Sequence, residues 1–103
     1  MNIIRKNGLF HCTDGPAIEW KNGNKEWYLN GKRHREDGPA IEFTNGEVWY
    51  QNGKRHRTDG PAIVWASGEK FWYIDGNKYS FSEWCDKLNL SREEKCELAL
   101  IYG

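Results

Sequence analysis

The segment His11-Cys-Thr-Asp-Gly-Pro-Ala-Ile-Glu-Trp20 is the first of three closely related copies in this chain. The second copy is His34-Arg-Glu-Asp-Gly-Pro-Ala-Ile-Glu-Phe43, and the third is His56-Arg-Thr-Asp-Gly-Pro-Ala-Ile-Val-Trp65. Each copy is followed by a turn sequence, by a Trp-Tyr pair and by a second turn that ends in Gly. A regular period of this kind indicates an array in which neighbouring units bury their apolar faces against one another.

The repeat divides residues 1–103, which we predict to be a single domain, into five consecutive parts. Residues 1–10 are an N-terminal half-repeat, residues 11–33, 34–55 and 56–79 are three repeats, and residues 80–103 are a helical cap. A chain of 103 residues is too short for two independent cores, so we expect all five parts to share one core.

Each repeat is predicted to form a β-hairpin. Asp-Gly-Pro is a turn signal, and the alternation that follows it puts Ile18 and Trp20 on one face of a strand. We expect Asn22-Gly23 and Asn45-Gly46 to form two-residue type I′ turns, because that turn needs positive φ at both central positions. Asn30-Gly31 then directs the chain towards the next repeat. The predicted fold is mainly β: an antiparallel repeat meander of three 22–23-residue hairpins in one curved sheet, with two short C-terminal α-helices.

Equivalent aromatic side chains are expected to form rows across this sheet. One row contains Trp27, Trp49 and Trp72, and the adjacent row contains Tyr28, Tyr50 and Tyr73. Neighbouring residues of a strand point to opposite faces, so the two rows should lie on opposite sides of the sheet. One side would form the core, and the other would be an aromatic surface that lies partly in water.

The C-terminal segment changes to a helical pattern. Ser80 with Glu83, and Ser91 with Glu94, have the spacing of capping boxes, which predicts helices at about 81–88 and 92–101. We expect these short helices to cover the last strand, whose edge would otherwise pair with other chains. The alternative is that the helix pair binds a partner or forms a homodimer.

Composition limits the function classes. The chain has 15 basic and 15 acidic residues, so no overall field attracts it to nucleic acid or to an anionic membrane. We find neither a signal peptide nor an apolar run long enough to span a membrane, which predicts a cytoplasmic protein with no membrane partner. Cys12, Cys85 and Cys96 lack metal-site spacing and are expected to be free thiols.

The repeated Asn-Gly and Trp-Tyr pairs resemble MORN repeats, particularly a divergent and shorter MORN-variant class, over about residues 5–79. The Asp-Gly-Pro-Ala-Ile motif and the tail that begins at Ser80 are similar to short repeat proteins of tailed bacteriophages and bacteria. The common MORN pattern opens with Tyr-x-Gly-x-Trp, which this chain replaces by Asp-Gly-Pro-Ala-Ile. The resemblance implies a scaffold or protein-interaction role without catalytic residues, with lipid contact sometimes proposed. For a phage-encoded chain, it implies a factor in the host cytoplasm that binds and modulates or inhibits a host protein, including a defence component.

Neither a metal site nor a catalytic site is predicted. Equivalent residues of successive repeats are two strands apart, on the order of 9–10 Å, which is too far for His and Asp side chains to share one ion. Asp14, Asp37 and Asp59 have repeated rather than distinct environments, so they do not form an acid and base pair. We therefore predict a chain that is not an enzyme, has no cofactor, and uses these His and Asp residues for structure.

Our leading prediction is a non-enzymatic protein-interaction module, because interfaces favour Tyr and Arg. The predicted partner-binding residues are the tyrosine row and the flanking basic side chains: Tyr28, Tyr50, Tyr73, Arg33, Arg35, Arg55 and Arg57. The alternative is binding of a nucleotide or single-stranded nucleic acid by the repeated Lys-Arg-His-Arg turns at residues 32–35 and 54–57. Nearby acidic residues such as Glu36 and Asp37 would neutralise those turns if they form ion pairs.

Overall fold

A computed structural model describes residues 1–102 of the chain. Within these residues the strands and helices are short, and their bounds are as follows. The strands are β1 Asn2–Ile3, β2 Arg5–Lys6, β3 Leu9–Phe10, β4 Ile18–Glu19, β5 Lys25–Glu26, β6 Tyr28–Leu29, β7 Lys32–Arg33, β8 Ile41–Phe43, β9 Gly46–Val48, β10 Tyr50–Gln51, β11 Lys54–Arg55, β12 Ile63–Trp65, β13 Lys70–Ile74 and β14 Asn77–Tyr79, and the helices are α1 Phe81–Lys87 and α2 Arg92–Tyr102.

Eight of the strands form one antiparallel sheet in the order β1-β4-β5-β8-β9-β12-β13-β14. The other strands form two-stranded hairpins, which are β2-β3, β6-β7 and β10-β11. The sheet register aligns equivalent residues, since Ile18 pairs with Glu26, Ile41 with Val48 and Ile63 with Phe71. The prediction of a mainly β, antiparallel fold with two C-terminal helices is confirmed.

The type I′ turns lie at different Asn-Gly pairs from those predicted. Asn30 and Gly31 have φ values of 50° and 79°, and the two residues connect the ends of β6 and β7. At Asn22-Gly23 only the glycine has positive φ, and its N–H donates to the Trp20 carbonyl at 3.0 Å. Here the Asn22 side chain instead accepts a hydrogen bond from the Asn24 N–H. The expectation of type I′ turns at Asn22-Gly23 and Asn45-Gly46 is therefore wrong, because neither asparagine adopts positive φ.

The buried side chains form three clusters rather than the single shared core that we expected. The first is centred on Ile18 and Tyr28, the second on Ile41 and Ile63, and the third on Trp84. The Cα atoms extend over 45 × 26 × 20 Å, so the clusters follow a long axis. A thin sheet with few aliphatic residues has no centre towards which every segment can point.

The C-terminal segment agrees with its prediction. Ser80 and Glu83 form a complete capping box at α1, and Ser91 and Glu94 exchange the same two hydrogen bonds at α2. Trp84 of α1 is fully buried and packs in the same cluster as Leu98 of α2. Across residues 1–102, neither helix has the length and apolar character required to cross a membrane.

Candidate functional site

The predicted tyrosine row lies mostly in the core. Tyr28 is buried, and its hydroxyl donates to Oε1 of Glu26 at 3.0 Å. Burial and the neighbouring Glu26 carboxylate raise the pKa of Tyr28 above its ordinary value. Tyr50 and Tyr73 are half-buried against the cluster that contains Ile41 and Ile63. The expectation that this row is an aromatic surface is wrong for Tyr28, because its ring packs in the same buried cluster as Ile18.

Arg33 and Arg55 cover the tyrosine rings. The guanidinium carbon of Arg33 lies 5.7 Å from the Tyr28 ring centre and 5.5 Å from the Tyr50 ring centre. Arg55 lies 5.5 Å from the Tyr73 ring centre. Arg33 also forms an ion pair of 3.4 Å with Glu26, whereas Arg55 remains exposed. Of this pair, Arg55 is therefore the residue that retains a solvated charge.

Arg35 and Arg57 form clamps that join neighbouring units. The Arg35 guanidinium stacks 3.9 Å above the Trp27 ring, and its Nε donates to Asp37 at 3.0 Å. Its Nη1 donates to the Pro39 carbonyl at 3.2 Å and to Glu42 at 3.0 Å. Each of these arginines therefore connects its own Asp-Gly-Pro turn to a tryptophan of the preceding unit.

The second clamp has the same parts. Arg57 stacks 3.8 Å above the Trp49 ring and donates to Asp59 at 2.7 Å and to the Pro61 carbonyl at 3.1 Å. Its Nη2 also lies 3.3 Å from the hydroxyl of Tyr102. Because these groups are already satisfied within the fold, Arg35 and Arg57 have little capacity left for an external phosphate.

The histidines of the motif support the type I′ turns. Nδ1 of His34 accepts a hydrogen bond from the Asn52 N–H at 3.0 Å, and His11 and His56 make the equivalent bonds to Asn30 and Asp75. No group of three or more His, Cys, Asp or Glu side chains in residues 1–102 is placed to hold a metal ion. Cys12, Cys85 and Cys96 are free thiols, of which Cys85 is buried.

The first Asp-Gly-Pro turn differs from the other two at the clamp position. Cys12 occupies the place of Arg35 and Arg57, and its thiol donates to Asp14 at 3.1 Å. A cleft of about 710 Å³ opens between this turn and the next one. Its lining includes Gly15, Trp27 and Asp37.

A row of aromatic side chains lies at the tips of the long hairpins, and its exposure to solvent was not predicted from the sequence. We call it the tip row, and it consists of Trp20, Phe43 and Trp65. Trp20 is 42% exposed and Phe43 is 36% exposed, while Trp65 is half-buried. The rings of Phe43 and Trp65 stack with centres 5.7 Å apart. The signal in the sequence was the position of each aromatic residue beside a turn, where no further strand residue covers it.

Hydrogen bonds between neighbouring hairpins align these tips. The Thr44 N–H donates to Oδ1 of Asn24 at 3.1 Å, and the Ala66 N–H donates to the Asn45 carbonyl at 2.8 Å. The indole N–H of Trp20 donates to Oε2 of Glu26 at 2.7 Å. The tip row is therefore fixed in position by contacts within the chain.

Comparison of the chain with protein-family models, with curated proteins and with solved structures finds no match. The geometry of the tip row and of the turns is therefore the basis for assigning a function.

Proposed function

We propose that this chain is a non-enzymatic protein-binding module whose contact surface is the tip row. The supporting observation is the exposure of two large aromatic side chains, Trp20 at 42% and Phe43 at 36%, at equivalent positions. Aromatic residues are enriched among the side chains that contribute most to protein binding. The function is the one predicted from the sequence, but the proposed contact surface is the tip row instead of the tyrosine row.

Preorganisation supports this assignment. The Trp20 indole is oriented by Glu26, and Phe43 is stacked on Trp65, so each ring has a defined position in the free protein. Association costs about 0.5–1.5 kcal/mol for each flexible side chain that becomes fixed. Rings that are already fixed avoid most of that cost, which favours binding through this surface.

The charges near the tip row favour a protein over a nucleic acid. Glu19 and Lys21 flank Trp20 in sequence, and Glu42 precedes Phe43, so both signs of charge surround the rings. A nucleic-acid site needs a basic surface that neutralises phosphates. In the alternative site, Arg33, Arg35 and Arg57 have carboxylate partners within 3.4 Å.

We infer that three equivalent units, residues 11–33, 34–55 and 56–79, form a curved array that presents its tips at regular steps. The support is the recurrence of one set of contacts: an arginine clamp at Arg35 and Arg57, and a histidine bond at His11, His34 and His56. A partner that engages one tip would then meet the next tip in a similar orientation.

A homodimer through the C-terminal helices is a second candidate assembly. Leu100 and Ile101 of α2 are 88% and 69% exposed, which is unusual for large apolar residues of a helix packed on a domain. Light scattering after size-exclusion chromatography would measure the mass of the wild-type chain and of an L100S/I101S variant. A dimeric mass that falls to the monomer value in the variant would support this assembly.

The proposed function is tested by affinity capture from a lysate of the native host. The immobilised wild-type chain is compared with a W20S/F43S variant and with L100S/I101S as a control that also removes two exposed apolar residues. We expect protein bands that survive nuclease and high salt, and that disappear only for W20S/F43S. Equal capture by W20S/F43S would overturn the assignment to the tip row, and recovery of nucleic acid alone would favour the basic turns.

A further inference from the structure

We propose that the recess above Gly15 is a second recognition site, which binds the guanidinium group of an arginine presented by a partner protein. It lies at the first Asp-Gly-Pro turn, at the opposite end of β4 from the tip Trp20. The inference therefore adds a site to the proposed function and does not depend on the tip row.

The other two turns define what fits above this glycine. A Cβ atom built on Gly38 would lie 2.7 Å from the guanidinium carbon of Arg35, and one built on Gly60 would lie 2.8 Å from that of Arg57. A Cβ atom built on Gly15 meets nothing within 4 Å. The space that a guanidinium fills at the second and third turns is thus open at the first, because Cys12 is too short to reach it.

The acceptors for a guanidinium are present at the first turn. At the second turn, Arg35 donates to the Asp37 carboxylate, the Pro39 carbonyl and the Glu42 carboxylate. The equivalent residues of the first turn are Asp14, Pro16 and Glu19, so the first turn has all three acceptor types of the second turn. Asp14 and Glu19 are both exposed and accessible to a partner.

The adjoining cleft favours a cationic side chain from a polypeptide. Its volume of about 710 Å³ is large enough for one side chain and parts of its neighbours. The cleft is lined by three carboxylates, which belong to Asp14, Glu36 and Asp37. Arg35 also lines the cleft, but its charge is already paired with Asp37 and Glu42. The carboxylates repel a phosphate, and their arrangement with a carbonyl suits the planar fork of arginine better than the point charge of lysine.

The platform beneath the guanidinium differs between the turns. Trp27 and Trp49 support Arg35 and Arg57, while the equivalent residue of the first turn is the exposed Ile4. An aliphatic platform provides contact area but no cation–π attraction. We therefore expect weaker binding of a single arginine here than a tryptophan platform would give, with most of the selectivity coming from the hydrogen bonds.

The test is an NMR titration of the full chain with a blocked Gly-Arg-Gly peptide. We expect the Asp14 and Gly15 amide signals to shift, those of Gly38 and Gly60 to stay in place, and a matched Gly-Lys-Gly peptide to give shifts several-fold smaller. Absence of a Gly15 shift, or equal shifts with both peptides, would overturn the proposal. Because no partner protein is needed, this result is independent of the capture experiment.

Two variants fill the recess by different means. C12R supplies an internal arginine and G15A puts a methyl group where the guanidinium would lie, so both should lose the peptide-induced shifts. C96R is the matched control, since Cys96 is exposed on α2 and the substitution adds the same charge elsewhere. Peptide-induced shifts that persist in folded C12R or G15A, or that are lost equally in C96R, would contradict the site.

Discussion

The guanidinium carbon of Arg57 lies 3.8 Å from the ring centre of Trp49, a residue of the preceding unit. Arg35 and Trp27 repeat the arrangement at 3.9 Å. Each stacked arginine also donates to the aspartate and to the proline carbonyl of its own turn. Arg35 and Arg57, two of the four arginines that we predicted to bind a partner, are thus internal connectors. This role supports our proposal that the hairpin tips and the first turn are the recognition surfaces.

Replacement of Arg57 by alanine should destabilise the chain far more than replacement of Arg55. R57A removes a stacked cation and leaves the Pro61 carbonyl without its donor, a loss that we expect to be about 2–3 kcal/mol. R55A removes only an exposed cation–π contact, worth about 0.5–1 kcal/mol. Urea unfolding followed by tryptophan fluorescence measures both values, and equal losses would contradict the clamp.

Replacement of Gly53 by alanine should cost more stability than replacement of Gly15. Gly53 has a φ of 81°, a left-handed conformation that disfavours an L side chain by about 1–2 kcal/mol. Gly15 has no positive φ, and its added Cβ would meet no atom within 4 Å, so G15A should stay within about 0.5 kcal/mol of the wild type. Thermal or urea unfolding gives the comparison. A G53A variant as stable as the wild type would mean that the Asn52-Gly53 turn is not type I′ in solution.

Removal of the Trp84 side chain should release the C-terminal helices. The ring is fully buried, and its centre lies 4.6 Å from the Trp72 ring centre at a tilt of 52°. Its Nε1 donates to the Arg57 carbonyl at 3.1 Å. We expect W84A to lose about 3–5 kcal/mol, as large cavities in a core do. The exposed Leu100 is the control, and L100A should change stability by less than about 0.5 kcal/mol. Limited proteolysis should cut W84A within residues 80–102 first, and equal resistance of W84A and wild type would argue against docking of the tail.

The capping boxes should make the helix starts sensitive to acid. The hydrogen bond that the Ser80 backbone N–H donates to the Glu83 carboxylate, followed by the effect of the nearby Ser80 hydroxyl, lowers the pKa of Glu83 below its ordinary value of 4.5. A carboxylate whose pKa is lowered by folding contributes stability that is complete above pH 4.5 and is lost as the pH falls through the folded pKa.

An NMR titration of the Ser80 amide measures this effect. The amide signal should move with a midpoint below 4.5, and the movement should vanish in E83Q. Ser91 and Glu94 should behave in the same way at α2, since the same bonds lower the pKa of Glu94. A midpoint at or above the ordinary value would show that the box does not form in solution.

Sequence reasoning succeeded where the information is local. The antiparallel hairpins follow from alternation and turn residues, and both capping boxes follow from a serine and a glutamate three positions apart. The type I′ turns were predicted at Asn22-Gly23 and Asn45-Gly46 instead of at pairs such as Asn30-Gly31, because the same two residue types occur at all of these turns. The deciding factor is a side chain from outside the turn, since the Asn30 N–H donates a hydrogen bond to Nδ1 of His11, which lies 19 positions earlier.

The candidate site required the three-dimensional register. Alternation puts Trp27 and Tyr28 on opposite faces of the strand, but it does not indicate which of the two lies on the same face as Ile18. The clamp between Arg35 and Trp27 joins residues eight positions apart in sequence, and it forms only when the Asn30-Gly31 turn brings the two strands together. For the same reason, the presence of Cys12 at the position equivalent to Arg35 and Arg57 could be interpreted only after the three turns were compared in the structure.

Hydrogen–deuterium exchange of the chain, measured with and without the protein that it captures, shows whether the tip row is the binding surface. Binding through the tips should slow exchange in peptides that cover residues 19–24 and 42–46, and it should leave residues 32–35 and 54–57 unchanged. Protection confined to the Lys-Arg-His-Arg turns, with unchanged exchange at both tips, would contradict binding through the tip row.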